Sequence, residues 1–262
     1  MDNCAEETIK LSELVDVKNP QMMLNEVKIT ILMAIPEFNF IPLDRIFFDI
    51  VRLFRGEYQG YKKCNTEYHD LNHTLHTFLA IARLVHGSFI HNNKISGENV
   101  LLGLFSALLH DAGYIQTVDD HLGTGAKYTH EHIVRSLLFM EKYFVHNNYS
   151  LSDFNFCKNC ISLTGGNIQV NTINFSSHEE ETVAKMLGTA DLLSQMADRN
   201  YLEKLLFLYY EFREGSVLGC DSEVDLLKKT LNLYASVVTR LADEFGNYAV
   251  YMSDHFKARW NI

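Results

Sequence analysis

Proline is scarce in this sequence and is confined to its beginning. The 262 residues contain 3 prolines, and none follows Pro42. Because proline removes a helix hydrogen bond and clashes with the preceding turn, the rest of the chain is free to form long helices. Apolar residues also recur at helical spacing over residues 42–56, as at Ile46, Ile50 and Leu53, and Pro42 stands where a first-turn proline is tolerated. The sequence therefore predicts an all-α fold of about eight to ten helices with essentially no sheet.

A long apolar run and a basic tract are both missing. The longest apolar run, residues 100–109, is half of the ~20 residues that a membrane span needs. A net charge of −10 without a basic tract argues against extended nucleic acid as a partner. The acidic residues 1–7 lack the basic and apolar regions of a signal peptide. We expect a cytoplasmic protein that does not bind membranes.

Cysteine offers no disulfide framework, because its five copies are an odd and scattered set. Such a set is typical of a reducing cytoplasm. Cys157 and Cys160 have CxxC spacing, but no second such pair completes a zinc site. We interpret both as ordinary helix thiols.

The chain shows no low-complexity linker, no repeat and no abrupt shift in composition. We predict a loosely held leader over residues 1–19 and one domain over residues 20–262. Ser96, Ser177 and Ser222 stand where they can cap helices. Gly165 and Gly166 predict a break before a loop over residues 167–176. A homo-oligomer is compatible with the sequence but does not follow from it.

Histidine and aspartate provide the functional signal. His69 and His73 are four residues apart, so on one helix both rings would project from the same face. His110 and Asp111 form an adjacent pair at the end of a strongly apolar helix. Asp191 lies deep in another apolar helix.

A buried aspartate costs several kcal/mol unless it is paired or binds a metal. A single buried histidine is more often bonded to a backbone carbonyl, so the prediction depends on the whole set. Imidazole nitrogens and carboxylate oxygens together suit a divalent transition metal or Mg²⁺. Such an ion supplies a nucleophilic water at neutral pH. We predict a centre with one or two divalent ions.

The ordered set resembles the HD superfamily of metal-dependent phosphohydrolases, whose signature is H…HD…D on a helical core. The resemblance is strongest over residues 40–215 and implies a single HD/PDEase-like helical domain. It implies that His73 is the first metal ligand, that His110 and Asp111 are the doublet, and that Asp191 is the last ligand. The implied reaction is hydrolysis of a phosphoester in a nucleotide or a small phosphorylated metabolite.

The segment from Tyr68 to His73 is similar to the YHNxxH motif of cyclic-nucleotide phosphodiesterases. That similarity implies that His69 is the general acid. Asp70 replaces the family's Asn, and His76 stands where that family often has Asp. The doublet continues HDAGYI instead of HDxxHP. These departures weaken the case for a cyclic-nucleotide substrate but not for the metal core.

HD proteins commonly carry HExxS on the helix after the doublet, and His132 and Ser136 have that spacing. His132 would then bind a second ion or the phosphate, and Asp111 could bridge the two ions. The alternative is a capping histidine at the third position of a helix that begins at Thr129.

Three further residues are candidates for contacts with the substrate. Lys127 follows the glycine-containing loop at residues 123–125, which could equally be a simple turn. Gln195 and Arg199 follow Asp191 closely, but Asp198 and Arg199 could instead form a structural ion pair. The aromatic segment 207–212 is interpreted as core, with a platform for stacking a base as the alternative.

The sequence leaves two rival functions open. A di-iron oxygenase of the HD fold would use two extra histidines between the doublet and the last aspartate. His121, His130 and His178 are candidates, but only His132 has convincing placement. A non-catalytic sensor would bind a ligand at a vestigial HD site, and the intact ligand set counts against it.

Overall fold

Ten α-helices are found in the part of the chain that this computed structural model describes, residues 14–166, 168–217, 219 and 221–262. They are α1 (Pro20–Ala34), α2 (Ile41–Arg55), α3 (Leu71–Ile90), α4 (Gly97–Leu109), α5 (His132–His146), α6 (Leu151–Ser162), α7 (His178–Met196), α8 (Tyr201–Glu214), α9 (Glu223–Thr239) and α10 (Val250–Trp260). The described residues contain no strand, only one isolated antiparallel bridge between Tyr61 and Thr117. The prediction of an all-α fold with eight to ten helices is confirmed.

Local capping chemistry explains where several helices begin. The hydroxyls of Ser96, Ser177 and Ser222 each accept a hydrogen bond from the backbone N–H three residues later. These caps satisfy backbone donors that have no partner inside the helix. Pro42 lies in the first turn of α2, where a missing N–H costs nothing. All four start sites agree with the sequence prediction.

The centre of the core is α3, which packs against α1, α4, α7 and α10. Most of this helix between His73 and Ser88 is buried, because apolar residues occupy more than one of its faces. Gly87 allows the close approach of α10, since a Cβ there would collide with the carbonyl of Tyr251. α3, α4 and α7 are mutually packed, so polar residues at neighbouring positions on these helices meet inside the core.

Two features outside this centre were also expected. Cys157 and Cys160 lie in α6 as fully buried free thiols, and burial raises the pKa of Cys157 to about 12. Residues 168–176 form irregular structure with one short 3-10 turn, Val170–Thr172. Residue 167 of that predicted loop lies outside the described residues.

Most of the predicted leader, residues 1–13, is also outside the described part of the chain. Residues 14–19 form an irregular segment before α1, and Leu14 and Val15 pack against the core. None of the described helices has both the length and the apolar character that crossing a membrane requires.

Candidate metal centre

Three side chains converge between α3 and the end of α4. The ligand atoms of His73, His110 and Asp111 all lie within 4.8 Å of one another. The two Nε2 atoms of His73 and His110 are 3.4 Å apart, and Asp111 Oδ2 lies 3.2 Å from His110 Nε2. All three residues are buried. The predicted first ligand and doublet therefore meet in space.

Asp191 reaches the same point from α7. Its Oδ1 lies 3.0 Å from His73 Nε2 and 3.9 Å from His110 Nε2. Asp191 is buried at 5% exposure. The four residues predicted as ligands thus form one cluster, although 118 positions separate the first from the last.

Neighbouring groups hold these ligands in place. The Asp70 carboxylate caps α3 and accepts a hydrogen bond from the backbone N–H of His73 at 2.9 Å. The hydroxyl of Ser136 donates to the His110 carbonyl at 2.6 Å and accepts from the Gly113 N–H at 2.9 Å. Ser136 therefore fixes the turn that carries the doublet. Gly113 is required there, because a Cβ would collide with the carbonyl of His132.

Hydrogen bonds also set the tautomer of His110. Its Nδ1 lies 2.8 Å from the Ala107 carbonyl oxygen, which can only accept, so Nδ1 carries the proton. Nε2 then presents its lone pair to the cluster when the ring is neutral. A backbone partner at the far nitrogen is the usual way in which a protein orients a metal-binding histidine.

The donor set fits a divalent cation. Asp111 Oδ2 is buried and accepts no hydrogen bond of ordinary geometry among the described residues, although it lies 3.2 Å from His110 Nε2 and 3.5 Å from His73 Nε2. A buried carboxylate oxygen left in this way is costly unless a cation compensates it. Two imidazole nitrogens and two carboxylates match the preference of divalent transition metals and also allow Mg²⁺.

The pKa shifts of Asp111 and His110 also favour a bound cation. Burial would raise the pKa of Asp111, but the neighbouring His110 holds it well below the ordinary range. Burial would lower the pKa of His110, but Asp111 and then Asp191 raise it to about 9. Both shifts favour a positive charge inside the cluster. A bound divalent ion would provide that charge and displace the proton from the imidazole.

His69 lies next to the cluster but not on α3. The prediction that His69 and His73 share one helix is wrong, because Asp70 caps α3 and the helix begins at Leu71. The turn nevertheless brings the two imidazole rings to 5.9 Å between centroids. His69 Nδ1 lies 2.6 Å from Glu211 Oε2. Burial lowers the pKa of His69, but Glu211 opposes this and the net shift is upward.

Glu211 is the residue that sequence reasoning missed. It lies on α8 inside the aromatic segment interpreted as core, and its side chain is 6% exposed. Its Oε1 also accepts from the backbone N–H groups of Glu67 and Tyr68, at 2.9 and 2.7 Å. A lone carboxylate on the apolar face shared with Leu208 is the signal that could have identified it.

His132 is the first residue of α5, and Glu131 is the N-cap. The alternative that a helix begins at Thr129 is therefore wrong. His132 Nδ1 lies 2.7 Å from the Thr129 carbonyl oxygen, which leaves Nε2 free of the proton in the neutral ring. The His132 ring stacks on Tyr114 and lies 6.3 Å from the His69 ring. Burial lowers the pKa of His132, which favours the neutral form.

The three candidate substrate residues have different surroundings. Gln195 Nε2 donates to Asp191 Oδ1 at 3.0 Å, and Gln195 Oε1 accepts from the Tyr68 hydroxyl at 3.1 Å. Gln195 therefore orients Asp191, one of the four predicted metal ligands. Lys127 lies in the 3-10 turn Gly125–Tyr128 and pairs with Asp120 at 2.5 Å.

Arg199 is exposed in the turn between α7 and α8. The alternative of an Asp198–Arg199 ion pair is wrong, because Asp198 instead binds Lys204 at 2.7 Å. A small cleft opens beside Asp198 and reaches His73, Gln195 and Tyr201. This cleft is a polar opening at the side of the cluster where His73 lies.

Comparisons with known proteins assign the chain to one family. No curated protein and no solved structure matches the chain. A family model described as Npun_R2479-like matches residues 57–252, which include His69, all four cluster residues and Glu211. The chain belongs to the Npun_R2479-like family.

Proposed function

We propose that this protein is an HD-type, metal-dependent phosphohydrolase that acts as a phosphodiesterase or a phosphatase. One observation carries the proposal: the buried Oδ2 of Asp111 accepts no hydrogen bond of ordinary geometry within the described residues and lies between two imidazoles. A carboxylate in this setting suits a cation ligand better than a structural residue.

His73, His110, Asp111 and Asp191 would hold the first ion, which could be Mg, Mn, Zn, Fe or Ni. Such an ion supplies Lewis acidity and an activated water at neutral pH. The free thiols of Cys64, Cys157 and Cys160 favour a reducing compartment such as the cytoplasm. The substrate we propose is a small phosphorylated molecule, because the cluster's cation can attract phosphate despite the net charge of −10.

His69 is the general acid in this proposal. Glu211 accepts the proton of Nδ1, so the opposite nitrogen, Nε2, is the one that can donate. The upward pKa shift caused by Glu211 keeps a larger fraction of His69 protonated near neutral pH. His69 would transfer its Nε2 proton to the leaving oxygen of the substrate.

His132 would bind a second ion or the phosphate. Its neutral ring directs Nε2 away from the Thr129 carbonyl, and Asp111 is close enough to act electrostatically on it. Asp111 would then be the ligand shared by two ions. The oxygenase alternative needs two extra histidines. The one group of metal-capable side chains found in the described chain is His73, His110 and Asp111, so neither His132 nor any of His121, His130 and His178 belongs to it.

A hydrolysis assay tests the proposal. The full chain, stripped with EDTA and reloaded separately with Mn²⁺, Mg²⁺, Zn²⁺ or Fe²⁺, should hydrolyse bis(p-nitrophenyl) phosphate or p-nitrophenyl phosphate. EDTA should abolish the activity. Oxygen consumption without release of nitrophenolate would support the oxygenase instead. Nucleotide binding without turnover for every metal would support the sensor.

A further inference from the structure

The helix α9 carries an apolar stripe that the described part of the chain leaves exposed. Only Leu226 and Val237 are buried on this helix of 17 residues. Six other large apolar side chains remain 40 to 80% exposed. Leu233 is one of them, and the other five form a row, namely Val224, Leu227, Leu231, Tyr234 and Val238. Single exposed apolar residues are ordinary, but a continuous row marks an interaction surface.

The spacing of this row is specific. Successive members are 3, 4, 3 and 4 residues apart, which is the heptad spacing of a coiled-coil seam. Val224, Leu231 and Val238 occupy the a positions, and Leu227 and Tyr234 occupy the d positions. The buried Leu226 and Val237 fall on the neighbouring side of the helix. α9 can therefore contact its own domain and a second helix at the same time.

We infer that α9 pairs in parallel with α9 of a second copy of this chain. Charge complementarity supports this occupant and this direction. Glu223 falls at a g position and Lys228 at the e position five residues later. In a parallel two-stranded coiled coil these positions face each other across the seam, so a twofold axis forms the Glu223–Lys228 pair twice.

The side chains at the seam favour a coiled coil of two helices. Two of the three a positions are valine and one of the two d positions is leucine, and valine at a with leucine at d favours a parallel dimer over higher oligomers. The Tyr210 hydroxyl donates to Glu223 Oε1 at 2.8 Å and so orients the carboxylate at the start of the seam. A seam of little more than two heptads is small for a stable interface, so we expect dissociation in the micromolar range.

Sedimentation equilibrium of the full chain tests the inference. Measured from about 1 to about 200 µM, the wild type should shift from monomer to dimer. Leu231→Glu should remain monomeric throughout with unchanged helical circular dichroism. Leu151→Glu is the matched control, because Leu151 is 75% exposed on α6 and should leave the dimer intact.

A charge exchange tests the direction of pairing. Lys228→Glu should weaken the dimer at least 10-fold, because it places like charges at both pairs. The double variant Glu223→Lys/Lys228→Glu should restore it. A wild type that stays monomeric at about 200 µM overturns the inference, including the case in which residues 1–13 of the same chain cover the stripe. A Leu231→Glu dimer also overturns it, and failure of the double variant to rescue overturns the parallel arrangement.

Discussion

Glu211 Oε2 lies 2.6 Å from His69 Nδ1, although the two residues are 142 positions apart in the chain. α8 delivers the carboxylate, and the turn before α3 delivers the imidazole. The same carboxyl group accepts from the backbone N–H groups of Glu67 and Tyr68 through its other oxygen. Glu211 therefore fixes both the position of this turn and the proton at His69 Nδ1.

The first prediction concerns this pair. His69→Ala should keep its metal and lose roughly 10²–10⁴-fold in turnover, the usual worth of general acid catalysis. Glu211→Gln should lose about 10-fold, because the amide can still occupy the position but no longer favours the protonated ring. Steady-state kinetics with an alkyl phosphoester and with a p-nitrophenyl ester measure both effects.

The leaving group distinguishes an acid from a ligand. p-Nitrophenolate needs little protonation, so both variants should be closer to wild type on that ester. An equal loss on good and poor leaving groups contradicts the acid role of His69. Loss of bound metal in His69→Ala would make His69 a ligand.

The second prediction concerns His132. His132→Ala should lose most hydrolysis. It should keep about one tightly bound ion per chain, because the four cluster residues His73, His110, Asp111 and Asp191 suffice for one site. Added Mn²⁺ or Mg²⁺ should restore part of the activity if a second ion is lost. Metal stoichiometry and turnover, measured on the same variant, show whether His132 acts in the site. Normal turnover with a lowered melting temperature would mean that His132 is structural.

The third prediction concerns Ser136, whose hydroxyl bonds two buried backbone groups of the doublet turn. Ser136→Ala should destabilise the fold by about 1–3 kcal/mol, because both groups lose a partner. It should also weaken metal binding, since the turn positions His110 and Asp111. Ser236→Ala is the control, because its hydroxyl bonds only the Asn232 carbonyl on an exposed face of α9. Denaturant unfolding and metal titration measure both effects, and equal stability of the two variants contradicts the prediction.

The fourth prediction is acid sensitivity at the contact between α3 and α10. His255 and His86 are buried with their Nδ1 atoms 3.0 Å apart, and His255 Nε2 has no partner in the described structure. Burial and, to a smaller extent, the charge of Arg83 together lower the pKa of His255 to about 3. The unfolded chain therefore binds more protons below about pH 6.5, so stability falls as the pH decreases from there.

The expected loss is roughly 1–2 kcal/mol between pH 7 and pH 5, with allowance for screening by solvent. Melting temperatures across this range measure it. His255→Leu should show a smaller decrease over the same interval, because the titrating group is gone. An identical decrease in the variant would assign the acid sensitivity to other groups.

The sequence predicted those features that depend on local patterns. Helical periodicity and serine caps depend on neighbouring residues, so α2, α4, α7 and α9 begin where the sequence indicated. The four cluster residues were identifiable as candidates because a buried aspartate such as Asp191 is costly in an apolar helix without a partner.

Features that depend on packing between distant segments were not predicted. Glu211 was assigned to the core, because no local pattern shows that α8 packs against the turn before α3. Gln195 was a candidate for substrate contact; the packing of Tyr68 beside α7 engages its Oε1, while its Nε2 donates to Asp191 one turn earlier on α7. His69 was placed on the same helix as His73 because Asp70 was compared with the asparagine of a motif and not considered as a helix cap.

The central claim is that Asp111 completes a metal centre that catalyses phosphoester hydrolysis. Metal analysis of purified wild type and Asp111→Ala, with turnover measured on the same samples, tests it most directly. The wild type should carry one or two divalent ions per chain. Asp111→Ala should lose metal and hydrolysis but keep its helical circular dichroism, and Asp119→Ala, which changes an exposed carboxylate, should match the wild type. Full activity in Asp111→Ala with its metal retained would contradict the account.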